Sequence, residues 1–383
     1  MKDISQRAYN IFDLREIAQR RLPKAVFEFV DRGTEDEVAL HNNRAAFDRI
    51  KLKPRVLVDV SARSQEIELF GQKCKMPMAI SPTGNAGLLW YEGEIALARA
   101  ATAADIPFGL STHALAAMEK IIEQTGCRLW FQTYLYPDRS ITRRASERAK
   151  AAGCEALIVL VDGAAPSNRE YNLRNGFTIQ HKFNRRMAID VLRHPRWLCG
   201  VLAHYACTTG MPRFENQPDE IKHSIMAKPF GQSAKMDSLN WEDLRILRKF
   251  WPRTLIVKGI LHPEDAVYAA DCGADGIIVS NHGGRHLDST QAPIEVLPEI
   301  VDAVGKRLTV MVDSGFRRGS DVIKALALGA KAVMIGRPTL YGIAAAGEAG
   351  ATCALTIFRQ EIDRVLALIG CRGIAELNHK YLT

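Results

Sequence analysis

The chain lacks the features that mark disulfide-bonded, zinc-binding or membrane-spanning proteins. Its eight cysteines are scattered and none stand in a C-x-x-C pair, which argues against a metal site and for a reducing compartment. Residues Met1 to Asn10 are polar and charged, so they lack the apolar core of a signal peptide. No window of about 18 residues is free of charged and polar breaks, as a membrane-spanning helix requires. These absences predict a cytoplasmic protein with no metal site.

Positive charge is concentrated in one segment. The formal net charge is +8, and residues 175–235 contain nine lysines and arginines against four aspartates and glutamates. No nucleic-acid-binding motif accompanies this charge, so we expect no nucleic acid partner. A membrane surface or an anionic substrate fits the segment better, which favours peripheral contact with the inner face of the cell membrane.

Strand-like and helix-like segments alternate along most of the chain. Eight short apolar runs predict strands: Pro77–Ser81, Pro107–Ser111, Leu129–Thr133, Ala156–Val161, Thr254–Lys258, Gly276–Ser280, Leu308–Asp313 and Ala332–Gly336. Alanine-rich amphipathic stretches predict helices between most of them: Glu92–Ala104, Ile141–Ala152, Pro263–Asp271 and Gly319–Leu328. Eight such units predict an α/β fold, a (β/α)8 TIM barrel, with residues 1–383 forming one domain.

An N-terminal extension, residues 1–75, precedes this alternation. Apolar spacing predicts helices over residues 4–50, one of which begins after Leu22-Pro23 and ends at Gly33. Residues 52–70 alternate apolar and polar side chains, which predicts a small β element.

An insertion interrupts the barrel between the fourth and fifth predicted strands, which roughly 90 residues separate. We place it at residues 175–240, and helical patterns within it cover Arg186–Arg193 and Trp197–Tyr205. Basic residues beside tryptophan, leucine and tyrosine favour an element that lies on an anionic membrane. A lid that packs on its own barrel or on a neighbouring subunit is the alternative.

The stretch Ile277–Arg285 carries the strongest local chemical signal. A run of β-branched residues, typical of a strand buried on both faces, breaks into Ser-Asn-His-Gly-Gly-Arg. His282 can exchange a proton near neutral pH, and Arg285 can hold a carboxylate by two hydrogen bonds. Together they favour proton abstraction from a small acid over a core histidine beside a surface arginine.

Polar residues and glycines follow all eight predicted strands, where parallel barrels place their sites. In chain order they are Pro82, Thr83, Gly84, Ser111, Thr112, Gln132, Tyr134, Asp162, Arg169, Lys258, Ser280, His282, Arg285, Asp313, Gly315, Arg317, Gly336 and Arg337. The glycine-rich turns with arginine after strands seven and eight favour a phosphate site over solvated tight turns. A lysine after strand five suits a conjugated anion at the barrel centre. A phosphate-bearing conjugated cofactor suggests FMN, although the pattern alone indicates only a phosphate-containing ligand.

The chain resembles the FMN-dependent 2-hydroxy-acid dehydrogenases and oxidases, a family that includes flavin-type lactate dehydrogenase, glycolate oxidase and mandelate dehydrogenase. The shared motifs are Leu22-Pro23-Lys24, Phe131-Gln132, Val257-Lys258-Gly259, Ser280–Arg285, Asp313–Gly319, Lys324–Gly329 and Gly347–Gly350. His194–Trp197 and Thr339–Gly342 are most similar to the membrane-associated mandelate and lactate dehydrogenases. The resemblance implies a TIM barrel that binds FMN and oxidises an (S)-2-hydroxy acid to the 2-oxo acid.

The resemblance also implies roles for individual residues. His282 is the base, Asp162 stabilises its imidazolium, and Tyr134 bonds the substrate oxygen. Arg285 and Arg169 hold the substrate carboxylate, and Lys258 stabilises negative charge on the reduced flavin. Thr83, Gly84, Ser111, Gln132 and Ser280 line the flavin ring, with Pro82 and Gly315 beside it, while Asp313, Arg317, Gly336 and Arg337 hold the ribityl chain and phosphate.

Three positions bear on substrate and acceptor. Phe29 stands where the family usually has a tyrosine that bonds the carboxylate, and Leu160 replaces a threonine near the flavin. Gly84 is the residue typical of dehydrogenases, whereas oxidases carry alanine, which favours a quinone or another electron carrier over O2 as acceptor. Family members are often homotetramers.

Two alternatives stay open from the sequence. Phe29 is compatible with an FMN oxidase whose substrate lacks a simple carboxylate, such as an amine or a modified peptide product. A non-catalytic flavoprotein that binds a membrane or a partner is the other. The main hypothesis is the oxidation of an (S)-2-hydroxy acid. An aromatic or bulky side chain on this acid would fit, because the small residues Gly84, Ala86 and Gly87 leave room for it.

Overall fold

The computed structural model describes residues 3–176, 185–219, 222–225 and 237–383. Ten strands lie within these residues: β1 (Ile67–Leu69), β2 (Gln72–Cys74), β3 (Met78–Thr83), β4 (Phe108–Ser111), β5 (Leu129–Tyr134), β6 (Ala156–Leu160), β7 (Thr254–Ile260), β8 (Gly276–Val279), β9 (Thr309–Val312) and β10 (Ala332–Ile335). Strands β3 to β10 form a closed barrel in chain order, with β10 pairing β3, and all its pairs are parallel. The predicted TIM barrel is confirmed.

Helices surround the barrel. The α-helical segments are Ile11–Arg21, Lys24–Asp31, Val38–Arg49, Ala86–Leu89, Gly93–Ala104, Met118–Thr125, Arg139–Ala152, Glu170–Asn175, Arg185–Arg193, Pro195–Trp197, His204–Cys207, Trp241–Phe250, Pro263–Asp271, Pro293–Val304, Gly319–Ala327 and Arg337–Leu368. Short 3-10 turns cover Ile4–Gln6, Ile374–Glu376 and His379–Tyr381, and Leu198–Ala203 is π-helical. Local sequence fixes several helix starts, since Asn10 and Asn240 form capping boxes and Pro263 and Pro293 occupy first turns.

Alternating side chains of the barrel strands pack into two cores. On β6, Ala156 and Ile158 point into the barrel, while Leu157 and Val159 pack on the helices outside. The antiparallel hairpin of β1 and β2 closes the amino-terminal end, where Phe70 packs edge-on against Trp130 with ring centroids 5.7 Å apart. This end is therefore filled with side chains, and the carboxyl ends of the strands form the open end.

The N-terminal extension differs from its prediction in two places. Residues 52–66 form no strand: Leu52 and Ser64 make single bridges to Leu382 and Gly373, and the strand pairing is that of Ile67–Leu69 with Gln72–Cys74. Val56 is 82% exposed, so the apolar alternation in residues 52–66 has no buried face. The second long helix ends at Asp31, two residues before Gly33. Gly33 instead permits a close approach, because a Cβ there would lie 2.7 Å from the carbonyl oxygen of Gly284.

One helix, Arg337–Leu368, is long and apolar enough to cross a membrane by length and composition, with a mean hydropathy of 1.2 over its best window. However, 67% of that window is buried inside the protein. Non-helical backbone at Ala346 and Gly347 also divides it into two segments. We interpret it as a core helix, which packs against Ile11–Arg21 and Gly93–Ala104.

The described part of the insertion packs partly on the barrel. Trp197 and Tyr205 are buried, the Trp197 indole donates to the Leu88 carbonyl at 2.7 Å, and the Tyr205 hydroxyl accepts from the Glu92 main chain at 3.1 Å. The Trp197–Tyr205 segment therefore contacts its own barrel, as the lid interpretation expects. Within the same insertion, Ile189 and Leu192 expose 50% and 68% of their surface. The rest of it, residues 177–184, 220–221 and 226–236, lies outside the described residues.

Candidate active site

His282 and Asp162 form the centre of the open end of the barrel. Asp162 directly follows β6, and His282 follows β8 in a left-handed conformation with φ of 56°. The His282 Nδ1 lies 3.3 Å from the Asp162 carboxylate, and the His282 amide donates to the Ser280 hydroxyl at 3.0 Å. Since Nδ1 faces the carboxylate, Nε2 is the nitrogen that can take up a proton.

Burial and charge set the protonation of this pair. Burial lowers the pKa of His282, and the opposing effect of Asp162 does not restore it, so the imidazole is neutral at rest. Burial alone would raise the pKa of Asp162, but the adjacent His282 and Lys258 hold it well below its usual range. A neutral imidazole beside an ionised carboxylate can accept a proton, because the carboxylate stabilises the imidazolium that forms.

Two arginines lie together beside this pair. Arg169 donates from Nε and Nη2 to the carbonyl oxygen of Arg285, at 3.2 and 3.1 Å. Arg285 donates to the carbonyl oxygens of Phe29 and Arg32, at 2.6 and 3.1 Å. Burial lowers the pKa of both guanidinium groups, and the charge of Arg169 contributes to lowering that of Arg285 to about 10. Two partly buried like charges held side by side favour a bound anion.

Lys258 lies at the end of β7, almost fully buried. Its Nζ is 2.8 Å from an Asp313 carboxylate oxygen and 2.7 Å from the Ser280 hydroxyl, which it reaches as donor. The three residues end β7 or follow β8 and β9, so the barrel geometry brings them together. The ammonium is thereby fixed at the mouth of the barrel.

Tyr134 ends β5 and is a hydrogen-bond donor at all physiological pH values. Burial, together with the charge of Asp162, raises the pKa of its hydroxyl to about 12. On the neighbouring strands Leu160 pairs with Tyr134 on one side and with Lys258 on the other. Leu160 is buried and places an apolar side chain between two polar ones, where it can supply no hydrogen bond.

Unsatisfied polar atoms at the same end of the barrel fit a flavin ring. The Gln132 Oε1 accepts hydrogen bonds from the Ser111 hydroxyl and the Thr112 amide, which orients the Gln132 Nε2 away from them. Among the residues that the structure describes, neither this Nε2 nor the buried Ser81 hydroxyl has a hydrogen-bond partner. Buried polar atoms are rarely left so, and a flavin has polar ring edges that can satisfy them. With Lys258 beside them, these residues fit FMN.

The residues expected to hold the phosphate are already tied to the main chain. Arg337 donates to the carbonyl oxygens of Val30, Gly283 and Arg32, at 2.8, 2.9 and 3.0 Å. Arg317 donates to the carbonyl oxygen of Phe316 at 2.8 Å, and its guanidinium lies 5.8 Å from the Tyr341 ring. Burial lowers the pKa of both arginines. These two partly buried cations follow β9 and β10, the loops at which a phosphate site is expected.

Several glycines in the loops at the open end of the barrel stand where a side chain would contact a neighbouring residue. Gly315 has a φ of 84°, and a Cβ there would lie 2.2 Å from the Asn43 carbonyl oxygen, so this turn packs on the Val38–Arg49 helix. A Cβ on Gly336 would lie 3.3 Å from the Thr83 methyl group, and Pro82 packs against β4 where Gly109 leaves room. A Cβ on Gly84 would lie 3.1 Å from the His113 Cβ.

Sequence reasoning missed three side chains of this region. His113 contacts the rings of Tyr134 and Phe214 edge-on, each with centroids 5.7 Å apart, and burial lowers its pKa to about 4. His286 packs edge-on against His282 at 4.3 Å, and burial lowers its pKa to about 3. Ser81 ends the apolar part of β3. The signal for each was a polar residue within a few positions of a strand's carboxyl end.

The geometry agrees with comparisons to known proteins. A family model for FMN-dependent dehydrogenases matches residues 18–383. (S)-Mandelate dehydrogenase of Pseudomonas putida is 44% identical over 380 residues, 99% of this chain and 95% of that protein. L-lactate dehydrogenase of Azorhizobium caulinodans is 40% identical over 374 residues, 97% of each. The crystal structure of the monotopic membrane protein (S)-mandelate dehydrogenase has a TM-score of 0.91 at 43% identity, over 98% of this chain and 99% of that one.

Proposed function

The chain belongs to the family of FMN-dependent dehydrogenases, and from this premise we propose that it oxidises an (S)-2-hydroxy acid with an aromatic or bulky side chain to the 2-oxo acid. Its class is therefore that of FMN-dependent oxidoreductases acting on 2-hydroxy acids. We propose three things beyond this class: which acid is oxidised, which molecule accepts the electrons, and what each site residue does. The proposal rests chiefly on the two partly buried arginines, Arg169 and Arg285, beside the His282 and Asp162 pair.

The carboxylate of the substrate binds between Arg169 and Arg285 in this proposal. Each guanidinium retains N–H groups beyond those it donates to the main chain. An anion between them relieves the repulsion that lowers the pKa of Arg285. The main-chain bonds from Arg285 to Phe29 and Arg32 fix its position before the substrate arrives.

The proton is removed by His282. Its Nε2 faces away from Asp162, and the ionised carboxylate stabilises the imidazolium formed when the substrate proton is taken up. Tyr134, a neutral phenol, donates to the substrate oxygen and stabilises negative charge that develops there.

The chemistry that FMN supplies when bound is the acceptance of two electrons, which a second acceptor later removes. Ser81, Ser111 and Gln132 would contact the ring, with Gly84 and Ser280 beside it. Lys258 would place its ammonium against the ring edge that gains negative charge. Arg317 and Arg337, with Asp313 and Gly336, would hold the ribityl chain and phosphate.

Aromatic side chains near Tyr134 support the proposed substrate class. His113 contacts both Tyr134 and Phe214, and Phe214 in turn packs against His223 with ring centroids 5.1 Å apart. Phe214 belongs to the insertion, so the insertion contributes to this wall. Ring edges facing a pocket favour an aromatic side chain by offset or edge-on contact.

A membrane quinone is the proposed acceptor. Ile189 and Leu192 are exposed on the Arg185–Arg193 helix, among arginines of the same segment, which suits an anionic membrane surface. A structural relative is described as a monotopic membrane protein. The lid and membrane interpretations are compatible, because Trp197 and Tyr205 face the barrel while Ile189 and Leu192 face solvent. Gly84 also favours a carrier over O2.

Phe29 favours an alternative substrate class, one without a simple carboxylate, for the same FMN-dependent oxidation. Its ring lies 5.1 Å from the Arg285 guanidinium and offers no hydroxyl to a carboxylate. The missing hydrogen bond to a charged group weakens carboxylate binding by roughly 1.5–3 kcal/mol, or the substrate lacks a simple carboxylate.

A substrate screen with an artificial electron-accepting dye tests the proposal. The panel contains (S)-mandelate, (S)-lactate, glycolate and longer 2-hydroxy acids, together with a 2-hydroxy amide and a primary amine. Formation of the 2-oxo acid, highest for an aromatic (S)-acid, supports it. Turnover of the amide or amine alone supports the alternative, and FMN-loaded protein that oxidises none of them argues for a binding role.

A further inference from the structure

A third potential ligand completes a cluster around the proposed base. Asp162 follows β6, and His282 and His286 lie four positions apart on the loop after β8. One ligand atom from each of the three lies within 4.8 Å of the others. All three side chains are partly buried at the open end of the barrel. Neither the proposed proton transfer nor substrate binding makes use of His286.

The spacing within this cluster suits a small divalent ion. Zinc binds imidazole nitrogen and carboxylate oxygen at about 2.0–2.2 Å, so neighbouring ligands of a tetrahedral ion lie roughly 3.3 Å apart. The His282 Nδ1 and the Asp162 Oδ2 are 3.3 Å apart, which is long for a hydrogen bond and close to that separation. Two histidines and one carboxylate form a ligand set that leaves one position open.

His286 is free to complete the set. Within the part of the chain that the structure describes, its ring nitrogens have no hydrogen-bond partner, and its ring packs against the His282 ring with 65° between the two planes. A nitrogen of His286 lies within 4.8 Å of both an Asp162 carboxylate oxygen and a His282 nitrogen, so the three ligand atoms are already close together.

We propose that Asp162, His282 and His286 form an inhibitory binding site for Zn2+ or a similar first-row divalent ion. A neutral imidazole has one free nitrogen lone pair, so coordination of His282 leaves its other nitrogen protonated. The coordinated histidine can then no longer accept the substrate proton. Lys258 and Arg169 lie close to His282 and oppose a second cation, so the ligand is exchangeable zinc and not a resident structural ion.

The inhibitory effect rests on the proposed function, whereas zinc binding does not. Zinc binding to the FMN-loaded protein is therefore measured directly, by competition with a chromophoric chelator. Turnover is measured separately with the dye, at free Zn2+ concentrations fixed by a metal buffer, because hydroxy acids chelate zinc. The matched variants are His286→Gln, which removes one ligand, and Cys199→Ser with Cys207→Ser, which removes two exposed thiols and so controls for zinc binding by exposed cysteines.

We expect wild type and the double serine variant to bind one zinc and to lose turnover reversibly on zinc addition. In His286→Gln the zinc concentration for half-inhibition should rise by more than about tenfold, since even second-shell changes cost metal sites about that much. Each variant is compared with its own zinc-free rate, and its FMN absorbance reports correct folding. Equal zinc binding by His286→Gln and wild type overturns the proposal. If no hydroxy acid is oxidised at all, the binding assay still decides the site, and only the proposed function fails.

Discussion

Arg169 donates two hydrogen bonds, of 3.2 and 3.1 Å, to the main-chain carbonyl of Arg285. The two cations are thus held side by side by the backbone of one of them, and the hydrogen bonds that Arg285 donates go to the main-chain carbonyl oxygens of Phe29 and Arg32. This arrangement is costly without a ligand, because burial disfavours both charges. In the proposed function a bound carboxylate removes that cost, so the paired arginines select a substrate that carries a carboxylate.

Replacing Arg285 with lysine should weaken substrate binding while leaving the protein folded. Lysine keeps the charge but loses the paired N–H groups, so kcat/KM should fall by roughly ten- to a hundredfold, the effect of losing about 1.5–3 kcal/mol. Steady-state kinetics with a 2-hydroxy acid and its amide give the comparison. The amide, which has no carboxylate, should lose much less; equal losses for both would show that Arg285 does not bind the carboxylate.

Phe29→Tyr should strengthen carboxylate binding. The new hydroxyl would lie beside the Arg285 guanidinium, and one added hydrogen bond to a charged group, about 1.5–3 kcal/mol, should lower KM by roughly ten- to a hundredfold. Phe29→Leu is the control, because it removes the ring without adding a donor. A KM that does not change for any 2-hydroxy acid in the tyrosine variant would favour a substrate without a carboxylate.

Gly84→Ala should displace His113, because the nearest atoms that a Cβ at position 84 would meet all belong to His113. The new methyl group would lie 3.1 Å from the His113 Cβ, closer than ordinary contacts allow. Because Gly84 lies beside the proposed flavin site, reoxidation of the reduced enzyme by a quinone analogue should slow, and His113→Gly in the same chain, which removes the Cβ that the methyl group meets, should restore part of the rate. Rapid-mixing absorbance measurements test both variants; a double variant as slow as Gly84→Ala would exclude this steric explanation.

Phe214→Ala should weaken the binding of aromatic substrates more than that of small ones, so their KM values should become more similar. Phe214 packs on His113 in the wall near Tyr134, and an aromatic contact contributes about 0.5–1.5 kcal/mol. The KM for (S)-mandelate should rise by about two- to tenfold while that for glycolate changes little. Equal changes for both acids would place Phe214 outside the side-chain pocket.

Asp31→Asn should destabilise the fold near neutral pH. Asp31 is 2.6 Å from Arg15 and accepts from the Tyr341 hydroxyl at 2.7 Å. Burial raises its pKa, but these partners outweigh burial and hold the pKa below its usual value. We expect the free energy of unfolding to fall by about 1–2 kcal/mol. This is less than for a fully buried ion pair, because Arg15 is partly exposed. Glu16→Gln, in an exposed pair with Arg20, should cost at most about 1 kcal/mol.

The Asp31 contribution should also depend on pH in a defined direction. A carboxyl whose pKa is lowered by folding contributes its stabilisation above the unfolded value of about 3.9 and loses it as pH falls through the folded value. Denaturant titrations of wild type and Asp31→Asn should therefore converge on acidification below about pH 4. A constant difference down to the lowest pH at which wild type is folded would contradict the ion-pair explanation.

The barrel was predictable because its strands are buried on both faces and its helices are amphipathic. The predicted start and end of Pro263–Asp271 match the structure, and all eight barrel strands were located. Residues 52–66 were mispredicted because their apolar alternation faces solvent, which periodicity alone does not reveal. The positions of His113 and His286 depend on how loops pack at the barrel mouth. His113 contacts Tyr134 and Phe214, which are distant from it in sequence, so the local pattern marks it as a polar residue after a strand but does not predict its contacts.

The central claim is that His282 starts substrate oxidation at a site that also binds FMN. The most direct test follows the flavin absorbance after anaerobic mixing with (S)-mandelate, (S)-lactate and glycolate, for wild type and His282→Asn. We predict rapid bleaching of wild type by an (S)-acid and a loss of at least about a hundredfold in that rate in the variant, as is usual for removal of a general base. Bleaching at similar rates in both proteins, or bound flavin that no hydroxy acid bleaches, would contradict this account.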